Sequence, residues 1–191
     1  MSSQPPSSSP FSAADSALGY LYQVRVALLW ALRKIKEGTD FVASLETLDD
    51  VTFESVGRPD ELLQTKHHTN RQAGLTDASP DLWKSLRVWF EGLATHTIPP
   101  GAVLHLLTTA TASAGSAAAH LRQDGRNVGA ALASLEATAR TSKSQENAAA
   151  YKAFLETSPK NREEILNTVV VIDGASTIGN LDNLLQAEIF W

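Results

Sequence analysis

Two strongly apolar runs, within "PPGAVLHLLTTA" at 99–110 and "NTVVVIDG" at 167–174, constrain this chain more than any other feature. A strand that shows apolar side chains on both faces must be covered on both faces, so each run predicts a central strand buried between layers. Residues 115–166, between them, are rich in Ala, Glu, Lys and Leu and read as helix in two or three pieces, with breaks at Gly125 and Ser158-Pro159. Strands alternating with helices predict an α/β class: a central mixed sheet flanked by helices, with extra helices toward the C-terminus. A length of 191 residues suits one such domain with a sizeable core.

Upstream of the first run the pattern changes several times. "MSSQPPSSSPFSA", residues 1–13, is Ser- and Pro-rich and reads as a flexible tail, with the domain proper over 14–179. From Ser16 to Lys36 the positions Leu21, Val24, Leu28, Leu32 and Ile35 follow helical spacing, and Val26, Leu29 and Trp30 add a second apolar side. A helix that is apolar on two sides is expected to be buried around most of its circumference. Gly38 and Thr39 end it, and strands are predicted over about 41–47, 50–54 and 60–66, the last pair joined by a turn at Gly57, Arg58 and Pro59. A second helix starts with Ser79 as N-cap and Pro80 at its first position. Its expected inner stripe is Leu82, Leu86, Phe90 and Leu93, leaving Lys84, Arg87 and Glu91 outside. "NLDNLLQAEIFW" at 180–191 starts a helix with Asn180 as N-cap and ends on large apolar residues, so it reads as a linker cut short before a further domain.

Composition removes several function classes. The chain has no cysteine, which excludes disulfides and cysteine-ligated zinc or iron–sulfur centres. Its longest apolar run, Val26 to Leu32, is far short of the roughly 20 residues of a membrane span. The N-terminus lacks the basic-then-apolar order of a signal peptide. A cytoplasmic protein without a membrane partner is expected. A net charge of −5 argues against a broad basic surface for nucleic acid, so any DNA affinity should be modest and salt-dependent. No P-loop, GxGxxG or GxSxG motif occurs.

The stretch "LDDVTFESVGRPDELLQTKHH", residues 48–68, carries the chemistry. Strand alternation sends Asp50, Thr52 and Glu54 to one face and Val51 and Phe53 to the other, while Gln64 and Lys66 share a face opposite Leu63 and Thr65. In an antiparallel hairpin Asp50, Gln64 and Lys66 can therefore converge. A carboxylate and an amide oxygen suit Mg2+, with Mn2+ as a second candidate ion, and a lysine can orient a water or stabilise charge on phosphorus. Glu46 is a candidate extra carboxylate. Alternation places Asp49 with Val51, as a turn or strand-start residue, and favours Asp50 over it as ligand. Taken alone, the same hairpin is also simply a solvated sheet face.

These residues are similar to the PD-(D/E)xK nuclease motif, with Gln in place of the second acidic residue, and the order helix, three strands, helix, strand matches that superfamily's restriction-endonuclease-like core. "ALGYLYQ" (17–23), "LETLDDVTF" (45–53) and "LLQTKHH" (62–68) resemble more narrowly the double-stranded DNA endonuclease domain of bacterial antiphage effectors. Such domains occur in CBASS effectors beside a cyclic-oligonucleotide sensor domain, and in Lamassu and related systems beside an SMC-like ATPase. The resemblance covers about residues 14–110. It implies Asp50, Gln64 and Lys66 as the metal and catalytic set, Glu46 as a further ligand and Gln23 as a helix residue facing the site. It also implies double-stranded DNA as substrate and a homo-oligomer or partner-bound form as the active state. Gln64 departs from the common pattern and removes one negative charge from the metal. Gln23 reads equally as a polar group satisfied in the core. His67 is either a phosphate contact or a structural histidine, and Lys84 and Arg87 either touch the DNA backbone or are merely solvated. Against an endonuclease stands a different class, an inactive nuclease-fold scaffold.

Overall fold

A computed structural model describes residues 10–68 and 73–190, and side chains from residue 16 onward within that span. The chain runs α1 (Pro10–Lys36), β1 (Val42–Leu45), β2 (Val51–Ser55), β3 (Arg58–Lys66), β4 (Gly74–Leu75), α2 (Pro80–Ala94) and β5 (Val103–Thr108). It continues through β6 (Thr111–Ala112), α3 (Ala117–His120), α4 (Val128–Thr141), α5 (Ala148–Glu156), α6 (Pro159–Thr168), β7 (Val169–Ile172) and α7 (Ile178–Ile189). The main sheet has the order β1-β2-β3-β5-β7, antiparallel across β1, β2 and β3 and parallel across β3, β5 and β7. The expected α/β class with a central mixed sheet is therefore what the chain adopts. A short parallel pair, β4 with β6, lies outside that sheet and has no signal in the sequence.

The two apolar runs become β5 and β7, as their two-sided apolar pattern requires. Leu104 and Leu106 of β5 join a core with α2 to α6, while Leu107 joins the opposite core with α1 and α7. Trp83 of α2 is fully buried and meets Tyr151 edge-on at 4.6 Å and Phe154 at 5.5 Å, which fastens α2 to α5. Ring pairs of this T-shaped kind add about 0.5–1.5 kcal/mol beyond their buried area.

Several details of the elements differ from the sequence reading, and β3 takes in Arg58 and Pro59, which the sequence reading placed in the turn before it. Helix α1 begins at Pro10, so 10–13 belong to it and only residues 1–9 of the expected tail lie outside the described residues. The 115–166 segment makes four helices, and Ser158 caps α6 by accepting from the Asn161 N–H. Ser79 precedes α2 as expected, but its side chain makes no capping bond. Helix α7 starts after Thr177 rather than Asn180, and Leu181 and Leu185 are buried against α1 with Tyr22 and Val26. Helix α7 thus packs against α1 through Leu181 and Leu185; Trp191 lies outside the described residues.

An ion cluster closes the sheet end remote from Lys66. Lys34 of α1 reaches Glu61 of β3 at 2.6 Å, and His105 of β5 approaches the other Glu61 oxygen at 3.5 Å. His105 and Lys34 together hold the Glu61 carboxyl down at about 2, outweighing the opposing effect of burial. Because the folded value lies below the ordinary 4.5, this stabilisation is present above that pH and is lost as pH falls toward about 2. Glu61→Gln is expected to lower the melting temperature near neutrality and to flatten its decline in acid, read from thermal melts across that pH range.

Candidate metal centre

Strand β3 supplies the centre of the site. In the β2–β3 ladder Val51 pairs with Leu63 and Thr52 with Leu62, so Leu62, Gln64 and Lys66 share the face that packs toward α2. Gln64 is 7% exposed, and its Oε1 accepts from the Lys66 Nζ at 2.8 Å. The two residues meet as their period-two spacing requires.

Ahead of β2 the alternation fails, and that rearranges the two aspartates. Residues 46–50 form bends, not strand; Glu46 has φ +55 and its N–H donates to the Asp50 carbonyl at 3.2 Å. Asp49, expected on the Val51 face, swings instead toward Gln64 and α2. It is 7% exposed and accepts from the Gln64 Nε2, from the Trp89 indole N–H at 2.7 Å and from the Asp50 backbone N–H at 3.0 Å. Burial raises the Asp49 carboxyl above its ordinary value, against the lowering pull of Trp89 and Gln64. The Trp89 indole can only donate and occupies one Asp49 oxygen, while the Gln64 amide N–H is turned to the other. The Gln64 oxygen is left pointing toward Lys66.

Asp50 takes the other side of the strand end. Its Oδ2 accepts from the Thr65 backbone N–H at 2.7 Å and the Thr65 hydroxyl at 3.1 Å, and among the described residues no hydrogen bond reaches Oδ1. Gln23 of α1, 4% exposed, donates its Nε2 to the Asp50 backbone carbonyl. Gln23 is thus a satisfied core amide, and the carbonyl it satisfies is that of the candidate residue Asp50.

The remaining candidates are dispersed. The Glu46 side chain is exposed and no hydrogen bond ties it to Asp50 or Gln64. The His67 ring lies tilted against Tyr22 with centroids 4.6 Å apart, and its Nε2 accepts from the Ile178 N–H at 3.4 Å; burial and the neighbouring His68 lower its pKa, in keeping with a neutral acceptor. His68 turns to Asp81, 2.6 Å away. Lys84 pairs with Glu146 at 2.7 Å and Arg87 with Glu91 at 3.5 Å, all at the surface of α2 and the loop before α5. Sequence reasoning missed Asp49, Thr65 and Trp89; a buried Trp needs an acceptor for its indole N–H, and Asp49 is that acceptor.

Among the described residues no three His, Cys, Asp or Glu side chains converge into a metal cage. Asp50 Oδ1 and Gln64 Oε1 are hard oxygens of the type that Mg2+ takes beside waters and phosphate oxygens; Asp50 is held from the Thr65 side, whereas Gln64 lies between Asp49 and Lys66. No family model matches this chain, and no curated protein does.

Proposed function

We propose that this chain is a metal-dependent endodeoxyribonuclease domain of a bacterial antiphage system, hydrolysing phosphodiester bonds of double-stranded DNA when activated or assembled. The observation that supports the reading is the arrangement at the end of β3, where Gln64 bridges Asp49 and Lys66 and Thr65 holds the Asp50 carboxylate on the neighbouring side of the strand. Asp50 and Gln64 would hold Mg2+ or Mn2+, which supplies Lewis-acid chemistry at a phosphodiester.

The side chains themselves do three things. Thr65 holds the Asp50 carboxylate by two hydrogen bonds and leaves Oδ1 available. Asp49 and Trp89 keep the Gln64 oxygen turned outward from the core. Lys66 places a compact cation beside that oxygen, where it orients an attacking water or stabilises charge gathering on phosphorus. In the reaction the water oxygen bonds to phosphorus as the opposite ester P–O bond breaks, in line, and the departing oxygen leaves with a proton. An SMC-like ATPase partner or a sensor domain belongs to the same proposal as the source of activation.

A second reading, an inactive scaffold on the same fold, is favoured by one observation: among the described residues the carboxylate that meets Gln64 is Asp49, which is buried with both oxygens engaged, while Asp50 is held from the Thr65 side and Glu46 stands away. Metal removal separates the readings. Linear and supercoiled DNA incubated with the protein and its partner is expected to be cut in Mg2+ and spared when excess EDTA is added; DNA left intact in Mg2+ under every activating condition supports the scaffold.

A further inference from the structure

We infer that the cavity between α1, the sheet and α7 is a binding site for a small uncharged molecule, an apolar ring carrying one oxygen that accepts a hydrogen bond from Tyr22. The inference stands on that cavity and does not depend on the nuclease reading.

Helix α1 is apolar on two sides, and the described residues cover one of them. Leu21, Leu28 and Ile35 remain 44%, 49% and 62% exposed, whereas Tyr22, Val26 and Leu29 turn inward. The inward side is not filled to the density of an ordinary core. It leaves a cavity of about 200 Å3 walled by Val26 and Leu29 of α1, Leu107 of β5, Ile172 of β7 and Leu184 of α7, and Tyr22 lines it too. An apolar cavity of about 150 Å3 stays dry and accepts benzene, so this one suits a six-membered ring with roughly two or three further heavy atoms.

Tyr22 decides the chemistry of the occupant. The residue is 0% exposed, and its hydroxyl meets no hydrogen-bond partner among the described residues. Buried hydroxyls are almost always satisfied, because one left bare forfeits the bonds it had to water. Burial also pushes the Tyr22 pKa up to about 12, so the phenol stays protonated near neutrality and donates. Its partner is therefore an acceptor: a carbonyl, ether or hydroxyl oxygen. Charge in the occupant is disfavoured. Arg33 is the charged residue at the wall, and its Nε is already bonded to Glu188 at 2.8 Å, so an ionised ligand would lose its water without gaining a free counter-charge. The position also gives the cavity reach. Tyr22 precedes Gln23, which donates to the Asp50 carbonyl, and its ring lies 4.6 Å from that of His67, the residue after Lys66. A ligand seated on Tyr22 braces α1 against α7 from within, one residue in sequence from the contact that holds Asp50.

Acetophenone and α-methylstyrene share a shape and differ in the carbonyl oxygen, so titration calorimetry of the purified chain with each tests the inference. Wild type is expected to bind acetophenone about five-fold or more tightly than α-methylstyrene, the margin of one buried hydrogen bond. Tyr22→Phe should bring acetophenone down to the level of α-methylstyrene, while the melting temperature holds or rises because an unsatisfied hydroxyl has been removed. Ala175→Leu, which fills the cavity from its wall, should bind neither. No binding of acetophenone by wild type at about 10 mM, a preference for it that survives Tyr22→Phe, a Tyr22→Phe protein that melts below wild type, or undiminished binding by Ala175→Leu would overturn it.

Discussion

Replacing Lys66 by alanine is expected to lower the rate of DNA cleavage by about 100- to 10,000-fold, the range over which a positioned charge or proton-transfer group acts at a transition state. The fold should survive the change. Lys66 is partly exposed, and among the described residues its side chain donates to the Gln64 oxygen alone, which can accept from water instead. The expected stability change is therefore about 1 kcal/mol or less, the scale of a single net hydrogen bond. Lys66→Arg should not rescue activity, because a planar guanidinium cannot take the place of a compact ammonium beside Gln64. Initial rates on supercoiled plasmid, set beside thermal melts of each variant, check the two halves of this expectation. A Lys66→Ala protein that is folded and cuts like wild type would remove Lys66 from the centre.

Gln64→Glu is expected to be the most damaging conservative change in the domain, although it restores the residue usual in the resembled motif. Gln64 gives its amide N–H to Asp49, a buried carboxylate, and glutamate would set a second buried carboxylate against it. Uncompensated buried charge costs about 3–5 kcal/mol. The pH dependence carries a sign. The Asp49 carboxyl is already raised in the folded state, so ionising it works against folding, and stability tied to its protonated form is lost as pH rises through the folded value. A second carboxylate strengthens that trend, so the Gln64→Glu deficit should shrink as pH is lowered. Chemical denaturation of both proteins at several pH values measures it. The physical reason for glutamine at this position is thus its neighbour: a neutral donor and acceptor serves Asp49 on one side and Lys66 on the other.

How far the fold was legible depended on how much of each signal was local. The runs that became β5 and β7 announced themselves through two-sided burial, and the spacing of Gln64 and Lys66 placed them on one face because β3 is regular there. The aspartates were harder. Alternation holds inside a strand, and residues 46–50 lie in bends with Glu46 at φ +55, so a face assigned to Asp49 by counting back from Val51 came out reversed. Trp89 belonged to the site through a contact 40 residues away in sequence, which no local pattern records. Gln23 was ambiguous for a similar reason, since its partner is a backbone carbonyl and carries no side-chain signature. Helix α7 read as a departing linker because its apolar stripe has meaning only once α1 is beside it.

The central claim is that Asp50 and Lys66 work with a divalent cation on DNA. Its most direct test compares the Mg2+ dependence of plasmid cleavage by wild type and Asp50→Asn, each with its activating partner present. The asparagine oxygen can still accept from Thr65, so the fold is kept while one negative charge is removed from the cation. Wild type should show saturable, Mg2+-dependent cutting, and Asp50→Asn should fall by about 100-fold or more at the same Mg2+. Equal rates at equal Mg2+ would contradict the account.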